Sequence, residues 1–286
     1  MTLRTVQRIV RGAPSVDGAG VRLVRVLGPS TIEDFDPFLM LDSFDSRNPL
    51  DYTAGFPMHP HRGIETVTFL IQGIMDHEDS LGNKGRINGG DLQWMTSGSG
   101  IMHQETPKPA ERILGFQLWL NLPQSEKMTT PKYFDISPKD IAEIEIPAGK
   151  VRVISGEYAG VRGVKPHHIQ ARFLDFSLNA GKGVEVGVDP AETVFVFLLE
   201  GDAIIDGQRI AEKSAVLLTD GDTVKVEALP ENTLSFQLLS APPLHEPVAW
   251  GGPIVMNTRE EVMRAFEDLR EGSFIKEAAS GIFAGD

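Results

Sequence analysis

Two distant stretches of the chain echo each other. Glu65–Gly73 reads ETVTFLIQG and Glu192–Gly201 reads ETVFVFLLEG. Each is followed by a short turn motif, Gly89-Gly90-Asp91 in the first case and Asp220-Gly221-Asp222 in the second. Apolar runs this short, rich in β-branched and aromatic residues and bounded by glycine, read as buried strands rather than helices. A strand recurring with its turn points to two copies of one β-rich module.

The rest of the chain agrees. Strand-like runs recur at VRLVRVLG (21–28), GDLQWMT (90–96), ILGFQLWLNL (113–122), KVRVISGEY (150–158), ARFLDFSL (171–178), SAVLLTDGD (214–222) and NTLSFQLLS (232–240). With 29 glycines and 19 prolines punctuating them, the expectation is an all-β chain of two barrels or sandwiches. The polar stretch 123–150, with prolines at 123, 131, 138 and 147, reads as the linker. The expected domains are therefore 1–131 and 132–286. One short C-terminal helix is predicted: Thr258 and Glu261 form a capping box. Val262, Ala265, Phe266 and Leu269 mark an apolar stripe, and Gly272 is the stop. Its expected role is structural.

Composition narrows the function. Asp and Glu number 40 against 27 Lys and Arg, a net charge of −13, which repels phosphate backbones and anionic lipid. No direct nucleic-acid partner is expected. No apolar run approaches the ~20 residues needed to span a bilayer, and the N-terminal MTLRTVQRIVRGAP lacks the apolar core of an export signal. A cytoplasmic protein with no membrane partner is the expectation. With no cysteine, thiolate ligands and cysteine nucleophiles are excluded, so any metal must be held by nitrogen and oxygen.

The histidines supply them. Residues i and i+2 of a strand face the same side, so His59 and His61 in GFPMHPHRGIE point together, roughly 6.6 Å apart along the backbone. One such pair alone is more often a solvated or hydrogen-bonded pair than a metal site. A second same-parity pair, His103 and Glu105 in GSGIMHQE, shifts the balance toward a metal. Facing strands would bring together three imidazoles and a carboxylate, leaving one or two positions for water or substrate. Glu65 shares parity with His59 and His61, so spacing alone leaves it open as the acidic ligand. In the second copy the positions matching His59 and His61 hold Val186 and Val188, as if the scaffold survived without the site.

Other candidates carry less. His77, in the acidic stretch MDHEDSLGN, reads as solvent-exposed, with metal binding as the minor alternative. His167 and His168 are adjacent and so point to opposite faces, and His245 lies between prolines in a loop. Gly98-Ser99-Gly100 lacks the lysine and helix of a phosphate loop, and there is no nucleophile elbow. Phe56, Met58, Met102 and Trp119 are expected as core near the site, some lining an entrance for an aromatic substrate.

The pattern H-x-H-x3-E, followed by a glycine-rich segment ending in histidine, resembles the two motifs of the cupin superfamily. More closely, FPMHPHRGIETVTFLIQG, GDLQWMTSGSGIMHQE and FQLWLNLP resemble the pirin family. DPFLMLDSF, VRVISGE and EPVAWGGPIVMNT extend that resemblance over nearly the whole chain. It implies a bicupin with metal in the N-terminal cupin only. In common cupins the first-motif glutamate, here Glu65, binds metal; in pirins the acidic ligand follows the last histidine, here Glu105. The implied ligands are thus His59, His61, His103 and Glu105, holding one divalent transition metal, Fe(II) foremost, with Cu, Ni, Mn, Co or Zn as alternatives. The implied activity is that of a quercetin 2,3-dioxygenase, which opens a flavonol with dioxygen and releases carbon monoxide, with Glu105 as the base. The family's other implied role is an iron-binding, redox-responsive regulator with a protein partner.

Overall fold

A computed structural model describes residues 1–277. The chain runs through β1 (Val6–Arg11), β2 (Ala13–Asp17), β3 (Val21–Leu27), β4 (Phe38–Ser46), β5 (Phe56–His61) and β6 (Ile64–Gln72). Next come β7 (Ile74–Asp79), β8 (Lys84–Asn88), β9 (Leu92–Thr96), β10 (Ile101–Pro107), β11 (Ile113–Asn121) and β12 (Lys132–Ile136). The second half holds β13 (Ala142–Ile146), β14 (Gly149–Ser155), β15 (Glu157–Tyr158), β16 (Val161–Arg162), β17 (Arg172–Leu178), β18 (Gly183–Gly187) and β19 (Thr193–Glu200). It closes with β20 (Ala203–Ile205), β21 (Gln208–Ile210), β22 (Ser214–Leu218), β23 (Thr223–Ala228), β24 (Leu234–Ala241), β25 (Ala249–Gly251), β26 (Ile254–Met256) and the helix α1 (Arg259–Glu271).

The repeat is visible strand by strand. One seven-stranded sheet has the order β12-β9-β6-β11-β4-β3-β2, and the other the order β1-β22-β19-β24-β17-β14-β13. Each has a four-stranded companion, β5-β10-β7-β8 and β18-β23-β20-β21. The echoing runs β6 and β19 hold the same central place in their sheets, where both faces are covered, and this explains their unbroken apolar character. The fold is a bicupin.

The expected linker is replaced by structure. β12 forms the outer edge of the first sheet beside β9, and β13 the edge of the second beside β14. Edge strands half-exposed to water alternate polar and apolar residues, as KYFDI and AEIEI do, and that pattern gives the stretch its loop-like composition.

The two compact units are each assembled from several stretches of chain. One compact unit comprises residues 14–24, 38–137 and the chain from His245 onward; the other comprises 1–13, 25–37 and 138–244. β1 pairs with β22, taking the edge place that β12 takes in the first cupin. Buried Arg4 anchors that crossing by donating to the carbonyls of Gly221, Asp189 and Glu192.

The helix is capped as expected. Thr258 Oγ1 accepts from the Glu261 N–H, the Glu261 carboxylate accepts from the Thr258 N–H, and Gly272 closes the helix at φ 72°. Ala265 is buried and Val262 and Leu269 pack with it against Ile254 and Met256, whereas Phe266 stays 40% exposed at the margin of the stripe.

Candidate metal centre

Three neighbouring strands bring the polar residues together. β10 pairs with β5, placing His103 opposite His59 and Ile101 opposite His61. On its other side β10 pairs with β7, placing Glu105 opposite His77 and His103 opposite Asp79. Along β10, residues Ile101, His103, Glu105 and Pro107 are buried and the residues between them are half-buried. The parity argument therefore holds for the second histidine pair.

Two clusters result, sharing His103. The ligating atoms of His59, His61 and His103 lie within 4.8 Å of one another, and so do those of His77, His103 and Glu105. His61, His77, His103 and Glu105 are all buried, and His59 is half-buried. Burial, reinforced by the neighbouring His59, pushes the His61 imidazole down to about 3. Burial, then the neighbouring His61, His59 and His77, holds His103 well below the usual histidine range.

The ring nitrogens are arranged for a cation. His59 Nδ1 stands 2.8 Å from the Pro57 carbonyl and His61 Nδ1 stands 3.1 Å from the Pro253 carbonyl. A carbonyl oxygen only accepts, so each Nδ1 carries the hydrogen. In the neutral rings each Nε2 is then left with a lone pair, and the two Nε2 atoms face each other at 3.1 Å. Among the described residues neither ring nitrogen of buried His103 has a hydrogen-bond partner. Two nitrogens 3.1 Å apart suit adjacent corners of a coordination shell with bonds of roughly 2.1 Å.

The acid is held by a chain of side chains. Gln117 Nε2 donates to both Glu105 oxygens at 3.0 Å, Thr68 Oγ1 stands 3.3 Å from Oε1, and Trp119 Nε1 donates to Gln117 Oε1 at 3.1 Å. Trp119 also meets His61 edge-on, with ring centroids 4.9 Å apart, and stacks on Trp250 at 5.9 Å. An aromatic wall thus adjoins the imidazoles, as expected for Trp119.

The turn after His61 is pinned. Gly63 sits at φ +79°, and a Cβ there would lie 2.0 Å from the Val255 carbonyl, so only glycine fits. Buried Lys127 donates to the carbonyls of Gly63 and Val255 and to Asn121 Oδ1, and burial pushes its ammonium down to about 7 against the pull of Glu246 and Glu261. Buried Arg62 donates to the Ser99 and Phe274 carbonyls, pairs with Asp268 at 2.9 Å, and lies 4.2 Å over the Phe274 ring.

Two sequence expectations change here. His77 is not solvent-exposed: it lies on β7, buried between Tyr133 and His103. The alternation Met75, His77, Asp79, all buried, is the signal that the acidic neighbours masked. Glu65 loses its claim to the pair's parity, because the chain reverses at Gly63 between β5 and β6. It is buried in the other sheet, where it accepts from Thr96 Oγ1, and falls in neither cluster. Its counterpart Glu192 accepts from Ser240 Oγ in the copy whose site positions hold valines, so the glutamate does not depend on the site histidines.

His245 lies in a loop, as expected, His167 and His168 lie in a loop as well, and none of the three joins either cluster. Arg62, Gln117, Lys127, Pro253 and Asp268 gave no local signal in sequence. Their roles appear only with their partners.

The second cupin supplies an internal control. There β18 pairs with β23 with Val186 opposite Val224, as His59 lies opposite His103. The positions matching His59, His61, His103 and Glu105 are thus Val186, Val188, Val224 and Val226, and all four pack in the second core. All four polar groups are replaced together by valine.

Comparison with known proteins agrees with this architecture. The pirin family model matches residues 20–120, and the model of the pirin C-terminal cupin domain matches residues 173–275. A Pseudomonas aeruginosa protein named "Putative quercetin 2,3-dioxygenase PA3240" is 41% identical over 279 residues, covering 94% of this chain and 97% of its own. Human pirin is 39% identical over 259 residues, covering 89% and 88%. A crystal structure titled quercetin 2,3-dioxygenase from Acinetobacter baumannii superposes with a TM-score of 0.88 at 33% identity, covering 97% of this chain and all of that one. With its two cupins, its histidine motifs and this similarity along both halves, the chain belongs to the pirin family.

Proposed function

We propose that the chain is a metal-dependent dioxygenase that holds one divalent cation with His59, His61, His103 and Glu105 and opens a flavonol such as quercetin. The carrying observation is the pair of Nε2 atoms 3.1 Å apart, each ring's Nδ1 already committed to a carbonyl. Two lone pairs so placed repel unless a proton or a metal cation lies between them, and a metal cation would also engage the unpartnered His103. The names of the relatives support the substrate class, the nitrogen and oxygen donors suit Fe(II), Mn(II), Ni(II), Cu(II) or Zn(II) alike, and the family resemblance puts Fe(II) foremost.

A bound divalent transition metal supplies polarisation of a substrate oxygen and a path for electrons to dioxygen. The protein does the rest. The Pro57 and Pro253 carbonyls fix the histidine tautomers. Gln117 aims the Glu105 carboxylate, which takes the proton of the substrate hydroxyl on one of its oxygens. Trp119 and Trp250 offer an aromatic ring a flat partner beside His61, and burial of the centre keeps bulk water away.

The test is turnover by defined metal forms. Metal-free protein loaded anaerobically with Fe(II), Ni(II), Cu(II) or Mn(II) is mixed with quercetin in air, and its decay and carbon monoxide are followed. Replacing His59 with Ala or Glu105 with Gln is expected to slow decay by about 100-fold or more. Unchanged decay in both variants removes the proposal.

A further inference from the structure

We propose that His77 is a stand-in ligand: when the Glu105 carboxylate leaves the cation, the His77 imidazole takes its place on that side of His103. This rests on the metal reading above and adds a fifth protein group to the centre.

Position comes first. Glu105 and His77 are directly opposed on β10 and β7, so their side chains project to the same face. The His77 ring centroid lies 5.2 Å from that of His103, against 4.9 Å for His61 and 4.3 Å for His59. By that measure His77 surrounds His103 as His61 does. With His103 and Glu105 it forms the second cluster of ligating atoms within 4.8 Å.

The second observation is an idle donor. His77 is buried; among the described residues its Nδ1 has no hydrogen-bond partner, and its Nε2 has only a long contact with Asp79. Asp79 Oδ2, 3.5 Å from His77 Nε2, is too far for a good hydrogen bond. Asp79 Oδ1 accepts from the N–H groups of Leu81 and Asn83 and Oδ2 from Asn83 Nδ2, and against its burial the nearby His77 and these bonds hold the carboxyl down. A buried polar group left unpaired costs about 1–3 kcal/mol, which a ligand function would explain. Tyr133 holds the ring in orientation, with centroids 4.8 Å apart, and Gly85 makes room for it, since a Cβ there would meet the phenol oxygen at 2.2 Å.

The third observation comes from the second cupin. Continuing the ladder Ala203–Ala228 and Ile204–Glu227 by one step sets Ile205 opposite Val226, the counterpart of Glu105. The residue matching His77 is therefore Ile205, packed in the same core as the four valines. His77 is lost with the ligand set. Asp79 also fits the role, because a histidine bound to metal through one nitrogen is oriented by a carboxylate near the other.

The experiment uses Co(II) with the full chain. Hyperfine-shifted exchangeable imidazole N–H protons count the bound histidines, and competition with a chelator gives affinity. The wild type is expected to show three such protons and Glu105→Ala four, with Glu105→Gln as an isosteric second background. Adding His77→Asn to either background is expected to remove the fourth proton and weaken Co(II) binding about 10- to 100-fold. If the wild type binds Co(II) but the Glu105 variants never gain a fourth proton, and His77→Asn changes nothing in them, the stand-in is refuted and the metal site survives. If the wild type binds no Co(II), or His59→Ala and His61→Ala bind it as the wild type does, the metal reading falls and this inference with it.

Discussion

One amide, Gln117, fixes both the acid and the aromatic wall. An indole N–H only donates, so the Gln117 atom facing Trp119 is the oxygen, and its NH2 must face Glu105. Gln117→Leu removes the donor to both carboxylate oxygens and the acceptor of a buried indole. The expected loss is about 1–3 kcal/mol in the metal-free protein, read as a lower urea midpoint. Gln117→Glu should lose more, because it sets a second carboxylate beside Glu105. An unchanged midpoint in both would show that the amide is dispensable. At this scale the sequence was legible where chemistry follows strand parity: His59 with His61, and His103 with Glu105. It failed for Glu65, whose parity is broken by the reversal at Gly63. It failed also for His77, whose acidic neighbours line the solvent-facing side of a β-hairpin with one buried face rather than a solvated turn.

At the scale of elements, the C-terminal hairpin and helix matter most, and their apolar stripe tells only part of their role. The hairpin carries Pro253 to His61 and Val255 to Lys127, and α1 carries Asp268 to Arg62, one residue from a histidine of the site. The cap, the stripe and the glycine stop were readable because they depend on local spacing. A buried aspartate beside that stripe was not, because its buried partner Arg62 lies far away in the chain while only Lys276 and Arg264 are local. Burial pushes the Asp268 carboxyl up, but hydrogen bonds from Lys276 and Arg62 outweigh it and hold the group down at about 2. Asp268→Asn leaves a buried arginine without its counter-charge and is expected to cost about 3–5 kcal/mol at neutral pH. A carboxyl held lower in the folded than in the unfolded chain stabilises fully above its unfolded value of 3.8, and that contribution fades as pH falls toward 2. The stability gap between wild type and Asp268→Asn should therefore be constant from pH 7 to about 5 and shrink below 4. A gap that does not change with acid would deny the ion pair its role.

At the scale of the whole molecule, the duplication was written in the sequence and the exchange of chain ends was not. The echo of β6 in β19 survives because both sit at the centre of a sheet, where few residue types are tolerated. Nothing in VQRIVR says which sheet edge β1 will join. The exchange has a measurable consequence. All three tryptophans, Trp94, Trp119 and Trp250, lie in the unit that carries the histidines, so tryptophan fluorescence reports on that unit. A cation bound only by the folded site stabilises it by RT ln(1 + [L]/Kd), about 2.7 kcal/mol at a hundredfold excess over Kd. Removing metal with a chelator should therefore lower the fluorescence-detected urea midpoint by the corresponding amount. A single tyrosine in the other unit, Tyr158, packs edge-on against Phe176 in the valine-lined core. In a variant with Trp94, Trp119 and Trp250 all replaced by phenylalanine and Tyr158→Trp added, a probe in that second core should keep its midpoint when metal is withdrawn. Equal shifts at both probes would mean that the metal stabilises the chain as one cooperative whole. No shift at either would mean that the histidine cluster holds no cation at all.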